Sequence, residues 1–358
     1  MIAVGIPTLN EADNIDLLVR SIDNIALSLG EELLIINCDN SSQDGTADIF
    51  RSVPTANKKI SLKTTQKGKG RNVRRIIQYV VNNDVEYCFF VDGDIVSMEP
   101  EWLSKHLYQA KNGSDYVVPN YARNMQEGNA TNHFLFPVLN YFSDGRSPHQ
   151  PISGDVGVSL KLAKHLARLP WSRAALGYGV DIFITMQALF GGFKVTEIDL
   201  GSKIHKPSFG KMINIFEDTA TSYFEVRNKI DSYVSVDFNG NQNQEFTLLK
   251  GKPIPAEDVR QRAKVAKQLL ATAGMTDQSK NYHIGKLGID SPTWATALVD
   301  HELRIGTENA SNLAKSLTPF YLLRVTQYLS EAKTPATAQE MLKLQTSLIA
   351  KRYAEASL

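Results

Sequence analysis

An apolar stretch that ends in two aspartates, residues 85–94 with the sequence VEYCFFVDGD, constrains the fold of this chain most strongly. Short runs rich in Tyr, Phe and Val are typical of a buried strand. In open α/β sheets ligands bind outside the carboxyl ends of the strands, so Asp92 and Asp94 would face a ligand. Carboxylates this close suit a hard divalent cation, which in turn suits a phosphate. Asp-Gly between apolar residues is also a hairpin signal, and the stretch alone leaves both interpretations open.

Strand-like and helix-like segments alternate on both sides of this stretch. The predicted strands are 2–7, 33–39, 59–63, 85–91, 116–119, 154–160 and 194–200. The predicted helices are 15–22, 47–51, 69–80, 134–141, 162–169 and 182–190. Such alternation is typical of parallel strands joined by crossover helices, and it makes a hairpin at Asp92 and Asp94 less favourable.

Helical periodicity dominates the later part of the chain. Apolar residues recur at helical spacing in the segments 212–230, 256–273, 292–305, 313–329 and 336–354. We therefore predict two domains, an α/β domain over residues 1–215 and a helical region over residues 216–358. The helical pattern is explained most simply as core, and it could also present a homodimer surface.

Composition excludes several classes of protein. The 358 residues contain 39 Lys and Arg against 38 Asp and Glu, so a net charge of +1 gives no general case for a nucleic-acid partner. The two cysteines, Cys38 and Cys88, lie in or beside apolar runs and are expected to be buried thiols in a reducing compartment. The sequence shows neither a signal peptide nor a membrane span, which predicts a cytoplasmic protein without stable membrane insertion.

Four polar motifs follow or precede the predicted strands and helices in a recognisable order. They are residues 7–11 (PTLNE), 39–46 (DNSSQDGT), 67–70 (KGKG) and 91–94 (VDGD). Together they resemble a nucleotide-sugar glycosyltransferase of the GT-A type. The resemblance implies an α/β fold with a mostly parallel sheet and helices on both faces, here followed by a C-terminal helical region. It also implies contacts to a UDP- or GDP-sugar donor from Pro7, Leu9, Glu11, Asp39, Lys69, Asp92 and Gly93.

Three later stretches resemble a smaller group within these enzymes. Residues 150–155 (QPISGD), 177–181 (GYGVD) and 199–205 (DLGSKIH) are similar to the retaining glucosyl-3-phosphoglycerate synthases and their mannosyl relatives. This resemblance covers residues 1–215. It implies a divalent metal, Mg²⁺ or Mn²⁺, held by Asp94 and His205, and it puts Asp92 beside the ribose of the nucleotide. The remaining residues that it implies are the acceptor-binding Thr131, Gly154 and Tyr178 and the catalytic Asp155 and Asp181.

One position departs from the pattern of that group. The synthases carry a Gly-Arg-Val-Thr run that binds the acceptor phosphate, whereas this chain has Gly128-Asn129-Ala130-Thr131. Asn129 has no charge to offer a phosphate. The departure argues against phosphoglycerate as the acceptor and favours another small hydroxylated molecule.

The chemistry of a sugar–diphosphate bond agrees with this assignment. Its cleavage places negative charge on the departing phosphate, which a divalent ion and nearby lysines stabilise. Lys67 and Lys69 lie on a glycine-rich loop before a helix, where backbone donors can approach phosphates. Simpler roles are also open. Glu11, Asp39 and Asp181 could cap helices, the lysines could be solvated charges, and His205 could be structural.

The sequence thus predicts a metal-dependent transferase that moves a hexose to a small hydroxylated acceptor, with retention of configuration. One alternative is an inverting transferase of the same fold that acts on a polysaccharide or lipid-linked acceptor, with Asp155 or Asp181 as base. A second is a nucleotidyltransferase, and a third is a binding module without activity.

Overall fold

The chain separates into two compact units. The computed structural model describes residues 1–96, 98–204, 212–230, 236–241, 245–251, 254–272 and 282–356. The first unit comprises Met1–Tyr121, Pro151–Met212 and Ser235–Asn241, and the second comprises Ala122–Gln150, Ile213–Val234 and Gln242–Leu358. The prediction of a single boundary at residue 215 therefore needs correction, because residues 122–150 belong to the second unit. Strand-like periodicity before residue 122 and after residue 153 gave no sign that the residues between them belong to another unit.

The strands of the described residues are short and follow the predicted order. They are β1 (Ile2–Thr8), β2 (Leu33–Asp39), β3 (Lys58–Lys63), β4 (Tyr87–Phe90), β5 (Tyr116–Asn124), β6 (Gly157–Ser159), β7 (Val195–Ser202), β8 (Phe238–Asn239) and β9 (Leu248–Leu249). The helices are α1 (Ile15–Ser28), α2 (Thr46–Ser52), α3 (Lys69–Asn82), α4 (Pro100–Lys111), α5 (Phe136–Phe142), α6 (Leu160–Arg168), α7 (Val180–Phe190), α8 (Met212–Arg227), α9 (Ala256–Thr272), α10 (Ser291–Glu302), α11 (Ala310–Glu331) and α12 (Pro335–Glu355). A π-helical segment, Thr131–Leu135, precedes α5.

A mixed sheet forms the centre of the first unit, in the order β3-β2-β1-β4-β6-β5-β7-β8. Strands β3, β2, β1 and β4 are parallel to one another, and β6 runs antiparallel to both β4 and β5. β1, β2 and β4 are apolar along nearly their whole length and almost entirely buried, as strands covered on both faces must be. The predicted fold class, an α/β sheet of the GT-A type with helices on both faces, is confirmed.

The turn after β4 is not a hairpin. β4 pairs with β1 and β6, and the chain beyond Asp94 continues into α4 rather than into a neighbouring strand. Helix α4 was absent from the sequence prediction. Its Trp102 is 1% exposed and donates from Nε1 to the carbonyl oxygen of Leu200 at 3.0 Å. The buried residues of the helix, Trp102, Leu103, His106 and Leu107, recur at helical spacing, so the sequence did carry a signal for it.

The second unit is a helical assembly with an aromatic core. The rings of Phe216 on α8 and Tyr321 on α11 stack with their centroids 3.8 Å apart. The short strand β9 pairs with the end of β5, at Arg123 and Asn124. The helical character predicted for this part of the chain is observed in the residues described there. None of the helices that the structure describes is long and apolar enough to cross a membrane.

Polar groups are buried in the helical unit as well. Glu302, the last residue of α10, is 4% exposed and interacts with Arg227 and Tyr223 of α8. Burial raises the pKa of the Glu302 carboxyl from 4.5 to about 7, and the attraction of Arg227 only partly opposes this shift. The carboxyl is therefore protonated in the folded state under mildly acidic conditions.

We predict that Glu302 makes the helical unit less stable as the pH rises. A raised folded-state pKa contributes stability that is complete below the unfolded-state value and is lost as the pH passes through the folded-state value, here about 7. Urea unfolding of the wild type and of Glu302→Gln at about pH 5 and about pH 8 measures the difference. The wild type should lose more stability than the variant over this interval. The exposed Glu340→Gln is the control, and an identical loss in all three proteins would contradict the assignment.

Candidate active site

The loops after β1 and β2 are joined to each other at the carboxyl edge of the sheet. The backbone N–H of Glu11 donates to Oγ1 of Thr46 at 2.9 Å, and that of Ala12 donates to a carboxylate oxygen of Asp44 at 3.0 Å. The side chain of Asp39 is 3% exposed and accepts from the backbone N–H of Ser42 at 2.9 Å. Residues of the two predicted donor motifs therefore lie together, as parallel strands require.

The turn after β4 joins the same edge. Gly93 approaches β1 so closely that a Cβ there would lie 2.8 Å from Cγ2 of Thr8. Asn14 fixes the turn by donating from Nδ2 to the carbonyl oxygens of Gly93 and Ile95, both at 2.8 Å. Asp92 and Gly93 are thus brought beside the loop of Leu9 and Glu11.

Helix capping does not explain the acidic residues of these motifs. The residues that precede α1, α2 and α7 at the cap position are Asn14, Gly45 and Gly179. Asp181 lies in the first turn of α7 instead, where its side chain is paired with a lysine. The capping role is thus excluded for these acidic residues. Their contacts with a ligand stay a prediction.

Lys69 links two of the aspartates. Its Nζ lies 2.9 Å from Oδ1 of Asp92 and 3.0 Å from Oδ2 of Asp181, so it is not a solvated charge. Burial lowers the pKa of the Lys69 ammonium, but the attraction of Asp181 and Asp92 outweighs it and leaves the pKa well above its usual range. Burial raises the pKa of Asp181, and the neighbouring Asp92 adds to the shift that Lys69 opposes.

Asp155 is enclosed and fully engaged by protein groups. It is 0% exposed. Its Oδ1 accepts from the backbone N–H of Asp92 at 2.8 Å, while Oδ2 accepts from the Tyr121 hydroxyl at 3.0 Å and from Nζ of Lys203 at 2.5 Å. Through these contacts Asp155 holds the backbone of Asp92 and the side chain of Lys203 in place, and its catalytic role stays a prediction.

Lys203 is the residue that the sequence prediction missed. Its side chain is 6% exposed, and its Nζ also donates to the carbonyl oxygen of Ser153 at 2.8 Å and lies 3.6 Å from Asp92. The lysine lies inside the 199–205 stretch that carries part of the family resemblance, which was the available signal. A lysine in a polar loop looks like an ordinary surface charge until the fold buries it.

The glycines around Lys69 serve backbone packing. A Cβ on Gly68 would lie 2.3 Å from the carbonyl oxygen of Leu176, and one on Gly70 would lie 2.0 Å from that of Ala175. The N–H groups of Gly70 and Arg71 donate to carbonyl oxygens of this segment, at 3.0 and 3.1 Å. These two amides are therefore occupied by protein, and the approach of other donors of this loop to phosphates stays a prediction.

The predicted acceptor residues lie in different units. Gly154, with φ +90°, packs on the charged cluster, because a Cβ there would lie 2.3 Å from Oδ2 of Asp92. Tyr178 is half-buried in the turn before α7. Thr131 belongs to the second unit, where it is 4% exposed at the start of the π-helical segment. The first unit thus brings Gly154 to Asp92, and the role of Thr131 stays a prediction.

The metal site is only partly within the described residues. Asp94 is half-buried in the turn after β4, and His205 lies outside the described residues. No group of three or more His, Cys, Asp or Glu that could hold a metal occurs among the residues described. Asp94 is thus the one predicted metal ligand that the structure describes. Its carboxylate suits a hard cation whose remaining ligands come from a diphosphate.

Comparisons with known proteins agree with this geometry. Residues 3–159 match the model of the family described as Glycosyl transferase family 2. The match spans β1 to β6 and includes Lys69, Asp92 and Asp155. No curated protein matches the sequence. The match covers less than half of the chain, and within that part it bears out the predicted class of enzyme, a glycosyltransferase.

Solved structures of glucosyl-3-phosphoglycerate synthase from Mycobacterium tuberculosis share the fold. The complex with Mn²⁺, UDP and glucosyl-3-phosphoglycerate gives a TM-score of 0.52 at 21% identity, over 65% of this chain and 81% of the other. The complex with Mg²⁺ and UDP gives 0.52 at 20% identity, over 65% and 81%. The complex with Mn²⁺, UDP-glucose and glycerol 3-phosphate gives 0.51 at 21% identity, over 65% and 82%. At this identity the likeness establishes the shared fold.

We predict that Asp155 and Lys203 are coupled energetically. Asp155→Asn leaves a buried ammonium without its nearest carboxylate and should cost about 3–5 kcal/mol in the free energy of unfolding. Lys203→Met added to Asp155→Asn should recover part of that loss, because the uncompensated charge is gone. Urea unfolding of both single variants and the double variant measures the coupling.

The exposed pair of Lys164 and Asp84 provides the control for this cycle, and Asp84→Asn should change stability by less than about 0.5 kcal/mol. Strictly additive effects of Asp155→Asn and Lys203→Met would show that the two side chains do not depend on each other.

Proposed function

We propose that this chain transfers a hexose from a nucleoside diphosphate sugar, UDP- or GDP-linked, to a small hydroxylated acceptor, with a divalent metal and with retention of configuration. The observation that carries the proposal is the arrangement of Lys69, Lys203, Asp92 and Asp181 beside the loops that follow β1, β2 and β4. It supplies cations and carboxylates at the sheet edge where ligands of α/β proteins bind.

Each residue has a role that its surroundings support. Asp92 would accept from the ribose hydroxyls, and Glu11 and Asp39 would contact the nucleotide from the adjoining loops. Lys69 is held protonated between two carboxylates and would orient toward the diphosphate, where a fixed positive charge lowers the energy of the developing anion. Lys203 would add a second ammonium close to Asp92.

A divalent ion fits the proposed chemistry. Asp94 and His205 would hold Mg²⁺ or Mn²⁺, and the ion when bound would neutralise charge on the diphosphate leaving group. The synthase complexes that share the fold contain Mn²⁺ or Mg²⁺ together with UDP, which supports the proposal for this chain.

Retention is favoured because one of the two candidate bases, Asp155, is poorly placed to remove a proton. An inverting reaction needs a carboxylate that is available to remove the acceptor proton. Asp155 is fully buried and hydrogen-bonded to three protein groups, which argues against that role. Asp181 remains as the candidate base, so the anomeric configuration of the product, read by NMR, is the direct test between the two outcomes.

We predict that Asp94→Ala abolishes transfer while the fold remains intact. Loss of its carboxylate removes a hard ligand of the ion, so the thermal stabilisation that Mn²⁺ adds in the presence of a UDP- or GDP-sugar should disappear. Thermal shift with and without chelator measures this directly, alongside a transfer assay. The exposed Asp84→Asn serves as the control. Unchanged turnover by Asp94→Ala, or by chelated wild type, would remove the metal from the proposal.

We also predict that 3-phosphoglycerate is a poor acceptor. Nδ2 of Asn129 donates to the carbonyl oxygen of Gln126 at 2.9 Å, and the side chain offers no positive charge. A charge-assisted hydrogen bond to a phosphate is worth about 1.5–3 kcal/mol, so the KM for 3-phosphoglycerate should be about ten- to a hundredfold higher than in a site that carries an arginine at this position.

Asn129→Arg should lower the KM for 3-phosphoglycerate in steady-state assays and leave the KM for the donor unchanged. Saturation of the wild type at micromolar 3-phosphoglycerate would show that another residue, such as Arg123 or Arg146, supplies the charge.

A further inference from the structure

Positive charge is concentrated in two segments of the first unit. Residues 58–83 contain eight Lys and Arg and no Asp or Glu, and residues 160–180 contain four and again none. Because the whole chain has 39 basic and 38 acidic residues, the remainder holds 27 against 38, a net charge of −11. The overall charge of +1 is therefore the sum of two strongly basic segments and an acidic remainder. Such an uneven distribution of charge indicates a negatively charged partner for the basic segments.

The two segments lie side by side in the fold. The guanidinium carbon of Arg74 on α3 lies 6.0 Å from the ring centre of Trp171, and Trp171 donates from Nε1 to the carbonyl oxygen of Leu166 on α6 at 3.0 Å. The N–H of Arg71 donates to the carbonyl oxygen of Leu176 at 3.1 Å. The start of α3 therefore packs directly on the segment that follows α6.

Five arginines occupy this region, and we call them the arginine face: Arg71, Arg74, Arg75, Arg168 and Arg173. Arg75, Arg168 and Arg173 are exposed, and Arg71 and Arg74 are half-buried. Three of the lysines in the two segments differ from them. Lys69 is bound to aspartates of the site, and Lys161 and Lys164 are paired with Asp115 and Asp84.

No carboxylate within the described residues forms an ion pair with any arginine of this face. Surface arginines elsewhere in the chain do have such partners: Arg20 is paired with Asp16, Arg51 with Asp48 and Arg260 with Glu257. Guanidinium groups match phosphate oxygens in bidentate geometry, so an uncompensated group of five suits a surface that presents many phosphates.

We propose that the arginine face docks this enzyme on a membrane surface rich in anionic phospholipid. The face is built on two adjacent helices and the segment after α6, so its charges are spread over three parts of the fold. We choose a membrane over a nucleic acid because a bilayer presents its phosphates as a continuous surface, which matches charges spread over two helices and the segment after α6. The docking does not depend on the acceptor of the proposed function, which is a small molecule. The face continues into the loop of Lys69, so a docked enzyme would hold its donor site near the lipid surface.

Vesicle sedimentation tests the proposal with the intact chain. The wild type is mixed with phosphatidylcholine vesicles that contain either no anionic lipid or about 30 mol % phosphatidylglycerol. It should sediment with the anionic vesicles alone at about 0.05 M NaCl and be released at about 0.5 M, where the Debye length is only a few ångströms. Each basic residue near an anionic surface strengthens binding about fivefold, so the triple variant Arg75→Gln, Arg168→Gln, Arg173→Gln should bind about a hundredfold more weakly.

A matched control separates the face from net charge. The triple variant Arg20→Gln, Arg51→Gln, Arg260→Gln loses the same three charges at exposed positions elsewhere and should sediment like the wild type. Equal loss in both triple variants would overturn the proposal, as would failure of the wild type to bind anionic vesicles. Binding to an RNA or DNA duplex without binding to vesicles would overturn the choice of partner. Thermal shift with UDP- and GDP-sugars in free solution should be the same for all three proteins, so a failed donor assay would count against the proposed function alone.

Discussion

The burial of three aspartates against two lysines organises the candidate site. Asp92, Asp155 and Asp181 meet Lys69 and Lys203 at side chains that are at most 21% exposed. Such charges are tolerated away from water only when each is paired or hydrogen-bonded, which couples the ends of β4, β6 and β7 to the starts of α3 and α7. A fold that must satisfy this network has little freedom to place its loops elsewhere.

The strands that build the sheet were predictable because their burial leaves a direct trace in the sequence. β1, β2 and β4 are continuous apolar runs, and their carboxyl ends carry the polar motifs at Leu9, Asp39 and Asp92. Helix α4 was missed although its buried residues, Trp102, Leu103, His106 and Leu107, recur at helical spacing after Pro100. The membership of residues 122–150 in the second unit was missed for a different reason, since it depends on long-range contacts that periodicity does not encode.

The roles of individual site residues were only partly accessible from the sequence. Asp92 and Asp94 share a turn and look equivalent, yet Asp92 is engaged by two lysines that lie at positions 69 and 203. Asp155 was predicted to be catalytic from its place after Gly154, and nothing in the sequence indicated that it is buried with both oxygens bound by protein donors. Lys203 had no signature of its own. In each case the surroundings of the residue depend on its solvent exposure or on a partner distant in sequence. Neither can be predicted from the neighbouring residues.

The close backbone contact between residues 68–70 and 175–177 has a consequence for how this enzyme can be altered. Neither Gly68 nor Gly70 leaves room for a methyl group against Leu176 and Ala175, so the two segments form one mechanical piece despite the hundred or so residues between them. Directed evolution of donor preference that randomises one segment alone would yield mostly misassembled clones. Productive libraries would hold both segments constant, or would exchange them together as a single cassette from a related scaffold.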